Sequence, residues 1–450
     1  MFPLVQHPAE HIARCILDTT SKEHFFCFAF KDEFSASELN NDTQVYSARL
    51  FCEAGRYRLA LLEGNTAELE SLRNAQSLPI DGPWFLQTVS VAKPWGQEIW
   101  YSAYEQRGVC HFAANADQEG LPIPVLLHLF PQLLGQSSAL NLLKVLAPYS
   151  SELLGELYFE MHKEKQEVYV VSHIDKAAWP EGIAKMRFGF CEQKLQQFSN
   201  FEQFKQAYLS AVTAYESVRR EIDAELQESS SIEAISESEK QGLLSALPVS
   251  LQQREADLAR NMSSFIAERS LRLGDVIKVP KMLPHGLLHG VRVVEFQTPV
   301  YERLILSFRQ AVLTQDHWDT EQALSLLAQP PRVEVPPNQN RCSLGEPLTS
   351  IVDVERIVSF DDFEVYRVHF LKSGRLALAS LMQQLLSEQQ SLSNVLLLAL
   401  HPVSLGNTQS SLTLQAEQGA CLPLWQGLTK NGLELEAEKG AIVLLSRPLP

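Results

Sequence analysis

The chain has 450 residues, 45% hydrophobic and 20% charged, a composition typical of a folded protein of roughly two to four domains. Its net charge of −16 argues against nucleic acid or an anionic membrane as the main partner, although a few cations can still bind a small anionic substrate. The seven cysteines are scattered, and no apolar run approaches the ~20 residues of a membrane span. With no export signal near Met1, these features predict a cytoplasmic protein with reduced thiols.

Residues 1–86 are predicted to form an extra N-terminal α/β segment. Apolar side chains at helical spacing indicate a helix over Ala9–Leu17 and a shorter one over Thr66–Arg73. Apolar runs of strand length lie between the two helices, at His24–Phe30, Gln44–Phe51 and Arg56–Leu62. The segment contains no recognisable catalytic or binding motif, so we assign it an accessory role.

The first segment with chemical content follows at residues 93–101. Lys93-Pro94-Trp95-Gly96 predicts a tight turn that presents a cation and an indole ahead of the strand-like run Glu98–Tyr101. Taken alone, these residues could also be a structural turn in which the indole anchors the edge of a domain.

Two carboxylates and a histidine lie close together further along the chain. A strand-like run ends in Glu160-Met161-His162, and a polar turn separates it from the predicted strand Glu167–Ser172. Because side chains alternate along a strand, Glu160 and His162 face the same way. A hairpin after His162 could bring Glu167 to the same end of that face, whereas a solvated charged hairpin is the simpler alternative.

A helical pattern interrupts the strands at about residues 198–269. Aromatic and small apolar residues recur there at steps of three and four, as in Phe201, Phe204, Tyr208 and Tyr215. Further helices are predicted at Glu239–Leu247 and Leu251–Arg269, with a loop over Glu228–Glu239. The pattern predicts a helical insertion in a β domain, with the aromatic residues in its core.

The stretch Gly274–Arg303 sets a turn with two histidines, His285 and His289, between two strand-like runs. Either histidine alone could be a surface residue. Combined with the earlier Glu and His residues, the turn would complete a set of two imidazoles and two carboxylates, which suits Zn²⁺, Mn²⁺ or Fe²⁺.

The last part of the chain is predicted to be a second small β-barrel or sandwich. Arg303–Leu313 continues as strand, Thr320–Ala328 is a helix with Asp319 as its N-cap, and a Pro-rich linker follows near residues 329–337. One helix interrupts the C-terminal region, at Leu376–Leu386. Strands are predicted at Ser350–Arg356, Phe363–Phe370, Val395–Leu400, Ser411–Ala416 and Ala441–Leu445.

The order of these motifs resembles the metal site of the cupin superfamily, and most closely the type I phosphomannose isomerases. Lys93–Trp100 is similar to that family's Lys-Pro-Trp-Gly-x-Glu-x-Trp signature, and Glu160-Met161-His162 to its Gln-x-His ligand pair. Lys165-Gln166-Glu167 resembles its Lys-x-Glu motif, and Pro284–Leu288 its Pro-His-Ala-x-Leu turn. The resemblance covers roughly residues 90–445 in outline.

The resemblance implies a mainly β fold of two cupin-type jelly-roll barrels in tandem, with the helical insertion in the first. The corresponding domains are residues 87–328 for the metal-binding cupin and 344–450 for the second, after the N-terminal segment. It also implies a metal site for zinc, or for Mn²⁺ or Fe²⁺ in its place, with four ligands: Glu160, His162, Glu167 and His285. His289 is not one of the implied ligands.

The implied function is a metal-dependent aldose–ketose isomerase that converts mannose 6-phosphate to fructose 6-phosphate through an enediol. Arg303, Lys165 and Glu295 are the implied catalytic residues, without a choice of which one moves the proton. The partner is a small sugar phosphate, and the oligomeric state stays open.

Three departures from the family pattern leave an alternative. Glu160 stands where the family has Gln, the loop before Glu167 is shorter, and Thr298-Pro299-Val300 replaces a longer Ser-Asp segment. A catalytically altered cupin that binds a sugar, or one that performs another metal-cupin reaction, is therefore the second hypothesis.

Overall fold

The computed structural model describes thirteen stretches of the chain: residues 2–18, 20–31, 43–65, 68–105, 108–137, 139–152, 154–227, 237–309, 318–332, 341–385, 393–407, 411–424 and 432–449. The predicted loop Glu228–Glu239 lies outside these residues up to position 236, and its last three residues are helical instead. Positions 310–313 of the predicted strand and 333–337 of the predicted linker also lie outside. None of the helices within the described stretches is long and apolar enough to cross a membrane.

Strands are the main element of the described residues, and we number them in chain order. The first twelve are β1 Leu4–Val5, β2 Glu23–Phe30, β3 Gln44–Glu53, β4 Arg56–Glu63, β5 Ser77–Pro79, β6 Trp84–Gln87, β7 Val89–Lys93, β8 Gly96–Trp100, β9 Tyr104–Glu105, β10 Gly108–Val109, β11 His111–Ala113 and β12 Leu121–Pro122. The next nine are β13 Leu142–Pro148, β14 Phe159–Met161, β15 Glu167–Ile174, β16 Ala184–Phe190, β17 Ile266–Leu271, β18 Val276–Val279, β19 His285–Leu287, β20 Val291–Gln297 and β21 Leu304–Ser307. The remainder are β22 Val352–Ser359, β23 Phe363–Phe370, β24 Gly374–Ala377, β25 Asn394–Ala399, β26 Val403–Gly406, β27 Ser411–Leu414, β28 Gly419–Pro423, β29 Glu434–Ala437 and β30 Ile442–Pro448.

The helices fall mainly between β16 and β17. In chain order they are α1 Pro8–Leu17, α2 Leu69–Asn74, α3 Ile123–Leu129, α4 Glu192–Leu195, α5 Phe201–Gln227, α6 Glu237–Ala246, α7 Val249–Ser263, α8 Thr320–Ser325 and α9 Leu378–Leu385.

The chain forms two compact units, each built from separated segments. The first contains residues 1–91, 100–144 and 337–450, and the second contains residues 92–99 and 145–336. The sequence predicts three consecutive domains, 1–86, 87–328 and 344–450, and this stays a prediction. The two compact units show which residues lie together but not which parts of the chain fold alone.

The first unit stacks an eight-stranded sheet on a four-stranded one. The larger sheet has the order β12-β11-β6-β28-β25-β30-β23-β22, and the smaller has the order β24-β29-β26-β27. Leu397 and Val443 of the larger sheet and Leu405 and Leu435 of the smaller one belong to the same buried core. The N-terminal segment adds a five-stranded sheet, β1-β2-β3-β4-β5, so an α/β character there is confirmed.

The second unit also stacks two sheets, and helices cover one of them from outside. A six-stranded sheet, β18-β15-β20-β13-β8-β7, shares a core with the five-stranded sheet β17-β16-β19-β14-β21. The opposite face of the five-stranded sheet packs on α5 and α7 through a second core that includes Phe159, Met161, Phe204 and Tyr208. The helical insertion is thereby confirmed.

The mainly β prediction is confirmed, with differences in detail. No sheet among the described residues closes on itself, so two tandem barrels stay a prediction. The predicted helix Leu251–Arg269 was wrong at its end, because α7 stops at Ser263 and β17 pairs with β16 from Ile266 onward. The insertion therefore ends before residue 269.

The prediction of Asp319 as the N-cap of α8 is confirmed in position but not in its side-chain contacts. Asp319 occupies the N-cap position of α8, but its side chain makes no capping hydrogen bond. Its carboxylate instead accepts a hydrogen bond from the backbone N–H of Ile305, at 2.9 Å, and so ties α8 to β21.

Candidate metal centre

Three side chains of metal-ligand type converge between the two sheets of the second unit. Glu160 lies on β14, His162 follows that strand directly, and His285 begins β19. The pairing of β14 with β19 places Glu160 opposite His285, although 125 positions separate them in sequence. One carboxylate oxygen and one nitrogen from each imidazole lie within 4.8 Å of one another, a spacing suited to a shared cation.

Glu167 approaches the same three side chains from the facing sheet, at the start of β15. Its Oε1 atom lies 3.4 Å from His162 Nε2, and its Oε2 atom lies 3.0 Å from His285 Nε2. The ammonium group of Lys165 lies 2.6 Å from Oε1, and the Tyr169 hydroxyl donates to Oε2 at 2.6 Å. Glu167 is almost fully buried, so this carboxylate is held by charged and polar neighbours in place of water.

The donor set fits a divalent metal ion. Neither ring nitrogen of the buried His162 nor the Oε2 atom of Glu160 has a hydrogen-bond partner among the described residues. Unpaired buried polar atoms cost about 1–3 kcal/mol each, so a cation among them would be stabilising. His285 Nδ1 donates to the Leu283 carbonyl at 2.9 Å, which fixes the ring and directs Nε2 toward the carboxylates, as in metal-binding histidines. Mixed imidazole and carboxylate donors suit Zn²⁺, Mn²⁺ or Fe²⁺.

The protonation states of these groups follow from burial and charge. Burial, together with the Lys165 charge, holds the pKa of His162 well below its ordinary value, so the imidazole is neutral and its lone pair is available. Burial disfavours the charged forms of Lys165 and Glu167. Each is nevertheless stabilised by the other, so the pKa of Lys165 is raised and that of Glu167 is lowered. At neutral pH the pair is therefore ionised.

The other two predicted catalytic residues lie at the edge of this cluster. Glu295 is buried on β20 and is the cross-strand partner of Tyr169. Its charge contributes to the raised pKa of Lys165. The Arg303 guanidinium lies 4.8 Å from the Tyr158 ring centre. Burial opposes the charge of Arg303, but its pKa is raised, chiefly because the Glu160 carboxylate is near.

The short loop between His162 and Glu167 is held by a neighbouring segment. The Glu302 carboxylate accepts the backbone N–H groups of Lys163 and Glu164, both at 2.9 Å. Gln166 and Thr298 add two hydrogen bonds, at 3.2 Å from Gln166 N to the Thr298 hydroxyl and at 3.0 Å from Thr298 N to the Gln166 carbonyl. The segment in which the sequence departs from the family pattern thus supports the loop that carries Lys165.

Sequence reasoning missed Tyr169 and Glu302. Tyr169 follows Glu167 by two residues on one strand, so the period of two was a usable signal that both side chains face the site. Glu302 gave no comparable signal, because its two partners are backbone amides more than a hundred residues away.

Of the remaining motifs, His289 lies apart from this cluster, whereas Glu98 is close enough to Arg303 to contribute to the raised pKa of that guanidinium. His289 stacks on Trp179 with ring centres 4.8 Å apart, away from the other histidines. Lys93 forms an ion pair of 3.3 Å with Glu98. Gly96 has φ +145°, and a Cβ there would meet the Ala147 carbonyl oxygen at 2.3 Å, so the turn requires glycine.

Comparison with known proteins gives a match in structure but not in sequence. No model of a protein family matches the chain, and no curated protein matches it. Mannose 6-phosphate isomerase from Bacillus subtilis is 13% identical, with a TM-score of 0.52 over 81% of this chain and 99% of that one. The Salmonella typhimurium enzyme, solved with fructose 6-phosphate and zinc, is 12% identical, with a TM-score of 0.51 over 82% of this chain and 100% of that one. At such identities the likeness concerns the fold alone: this chain has the fold of the mannose 6-phosphate isomerases.

Proposed function

We propose that this protein is a divergent type I phosphomannose isomerase, a metal-dependent aldose–ketose isomerase that interconverts mannose 6-phosphate and fructose 6-phosphate. The observation that carries the proposal is the convergence of Glu160, His162 and His285, with Glu167 and Lys165 beside them. The shared fold supports it, since one neighbour was solved with zinc and fructose 6-phosphate and another with zinc and yttrium.

Four side chains would hold the metal ion: Glu160, His162, Glu167 and His285. Zinc is the first choice of metal. Mn²⁺ and Fe²⁺ are alternatives, because carboxylates, which make up half of the donor set, also suit these ions. When bound, the ion would polarise the oxygen atoms on the two carbons between which the proton moves.

The surrounding residues would handle the charge and the proton. Isomerisation through an enediol needs a group that takes a proton from one carbon and returns it to the next, and a cation that stabilises the enediolate. Arg303 and Lys165 are the available cations. We assign proton transfer to Glu295. The ammonium group of Lys165 lies 2.6 Å from the Glu167 carboxylate, and its raised pKa keeps it protonated, so it cannot take a proton from the substrate.

Metal analysis of the purified protein tests the ligand set. We expect one divalent ion per chain in the wild type, and at least about a tenfold loss of affinity in Glu167→Ala and in His285→Ala, because each removes one donor. His289→Ala is the matched control, since it removes a histidine from the same turn but not from the cluster. Unchanged metal content in both ligand variants would refute the assignment.

A coupled assay with mannose 6-phosphate tests the reaction. We expect turnover that depends on the metal, and incorporation of solvent deuterium at the reacting carbons. Glu295→Gln should lower kcat by at least about a hundredfold while the metal stays bound, because a general base contributes 10²–10⁴-fold. A protein that keeps its metal but turns over no mannose 6-phosphate would instead favour the catalytically altered cupin.

A further inference from the structure

A cavity opens on the outer face of the five-stranded sheet, the face that the helical insertion partly covers. Its volume is about 370 Å³, within the ~300–1,000 Å³ range of ligand pockets. Strand β16 contributes Lys185 and Arg187, the C-terminus of α7 contributes Ser263, and the turn after β19 contributes His289. None of the residues assigned to the metal centre is among the described residues that line it. We call it the insertion cavity.

The charges around the insertion cavity cancel. Three carboxylates, from Glu152, Glu156 and Glu268, face three cations, from Lys185, Arg187 and Arg309. Glu156 and Arg187 form a buried ion pair. A balanced wall gives no net attraction to an anion or a cation, so a phosphate ester or a polyamine is a poor match for this cavity.

The ion-pair contacts of Arg309 are long, so its guanidinium can also donate to a ligand. Its guanidinium lies 3.4 Å from a Glu152 oxygen and 3.7 Å from a Glu156 oxygen. Charge-assisted hydrogen bonds are usually about 2.7–2.9 Å long, so these two contacts are long and weak, and a ligand hydroxyl lying beside them can bond to both partners. A hydroxyl both donates and accepts, which allows it to bond to a guanidinium and a carboxylate at once.

The aromatic part of the wall involves the histidine that the metal centre leaves unused. His289 and Trp179 stack with ring planes 20° apart, and the Trp179 indole N–H donates to the His289 carbonyl. His289 Nδ1 is buried and has no hydrogen-bond partner among the described residues. An aromatic pair beside polar groups of both signs suits a molecule with one C–H-rich face and a rim of hydroxyls.

We propose that the insertion cavity binds a neutral polyhydroxylated ligand of hexose size, an unphosphorylated sugar, independently of the metal centre. The sugar hydroxyls bridge Arg309 to Glu152 and Glu156, and the aromatic pair packs against the pyranose ring. This site differs from the proposed catalytic one in its ligand class, since the balanced charges of the cavity give no net attraction to the phosphate that an isomerase substrate carries.

The test is saturation-transfer NMR on the full chain with methyl α-D-mannopyranoside as the probe. The blocked anomeric carbon prevents ring opening, so the probe cannot be isomerised. We expect saturation transfer from the protein to the probe, with a Kd of about 1 mM, as for a ligand of this size. Trp179→Leu and Ser263→Phe should each weaken binding by at least about tenfold, the first by removing the platform and the second by filling the cavity.

His162→Ala is the control, because it alters the metal centre and leaves the insertion cavity intact. Binding that persists in His162→Ala and in metal-stripped protein, but falls in both cavity variants, supports the proposal. Thermal melts of the variants separate lost binding from lost folding. Absence of transfer at about 20 mM probe would overturn the proposal and leave a solvent-filled crevice. Loss of binding in His162→Ala alone would overturn it by placing the sugar at the metal centre.

Discussion

Gly286 directly follows the metal-ligand candidate His285 and sits where two strands approach closely. A Cβ at this position would lie 2.3 Å from the Tyr158 carbonyl oxygen, whereas real Cβ contacts are essentially never shorter than 3.0 Å. Gly286→Ala must therefore move the backbone by about 0.7 Å. The obstacle is backbone, so no side-chain rotation relieves it. The family resemblance places alanine at this position, and the geometry predicts that this chain does not tolerate it.

The cost of Gly286→Ala can be estimated from packing. Overpacking of a well-packed core costs about 1–3 kcal/mol, and the reduced freedom of the unfolded chain offsets about 0.4–1 kcal/mol of that. The net loss of about 1–2 kcal/mol should lower Tm by about 2–8 °C. Metal–ligand distances tolerate only about ±0.2 Å, so moving His285 should also weaken metal binding by at least about tenfold.

Calorimetry and metal titration of Gly286→Ala check both effects. Gly374→Ala is the matched control, because Gly374 also lies in a strand but has no heavy atom within 4 Å of the added Cβ. If Gly286→Ala melts and binds metal as Gly374→Ala does, then the close approach of Gly286 to the Tyr158 carbonyl is not what holds His285 in place.

Three further substitutions probe the neighbours of the site and the other unit. Glu302→Ala removes two hydrogen bonds from the Lys163–Glu164 backbone, so kcat should fall while metal content stays unchanged; equal kcat would refute a positioning role. Tyr169→Phe deletes the hydroxyl that donates to Glu167 and should weaken metal affinity by about 10–100-fold, measured by competition with a chelator. In the first unit, burial opposes the charge of Glu364, but Tyr366, Ser359 and Arg447 keep its pKa below the ordinary value. Its ionised form is therefore stabilising above about pH 4.3, and this contribution is lost as the pH falls further. Glu364→Gln should thus cost most stability near neutral pH and progressively less in acid, as followed by denaturant unfolding.

The convergence of the candidate site residues was predictable in part, because strand periodicity and motif order constrain where their side chains lie. Alternation along one strand placed Glu160 and His162 on a common face, and both side chains do point into the same cluster. The turn with two histidines gave no such constraint by itself. His285 enters the cluster because β19 pairs with β14, whereas His289 lies beyond the end of β19 against Trp179.

The architecture was harder to predict, because it depends on pairings between distant segments. Trp84 and Phe85 of β6 pair with Cys421 and Ala420 of β28, and no local pattern in either segment indicates its partner. Ile266–Leu271 continued a helical pattern by composition, yet pairing with β16 makes it a strand. Local propensity is a weak prior that such tertiary pairing overrides.

The helical insertion and the candidate metal centre lie on opposite faces of one sheet, so the helices can affect the candidate centre through the strands between them. On β14, Phe159 and Met161 pack against the helices, while Glu160 between them faces the other sheet. On β21, Leu304 and Leu306 face the helices and Ile305 faces inward. A strand that is apolar on its outer side must be covered, because exposing that side would cost roughly 1.5–3 kcal/mol for each large side chain. The helices α5 and α7 therefore stabilise the strand that carries Glu160 without touching the metal centre. A change in their packing would reach that centre through the backbone of β14.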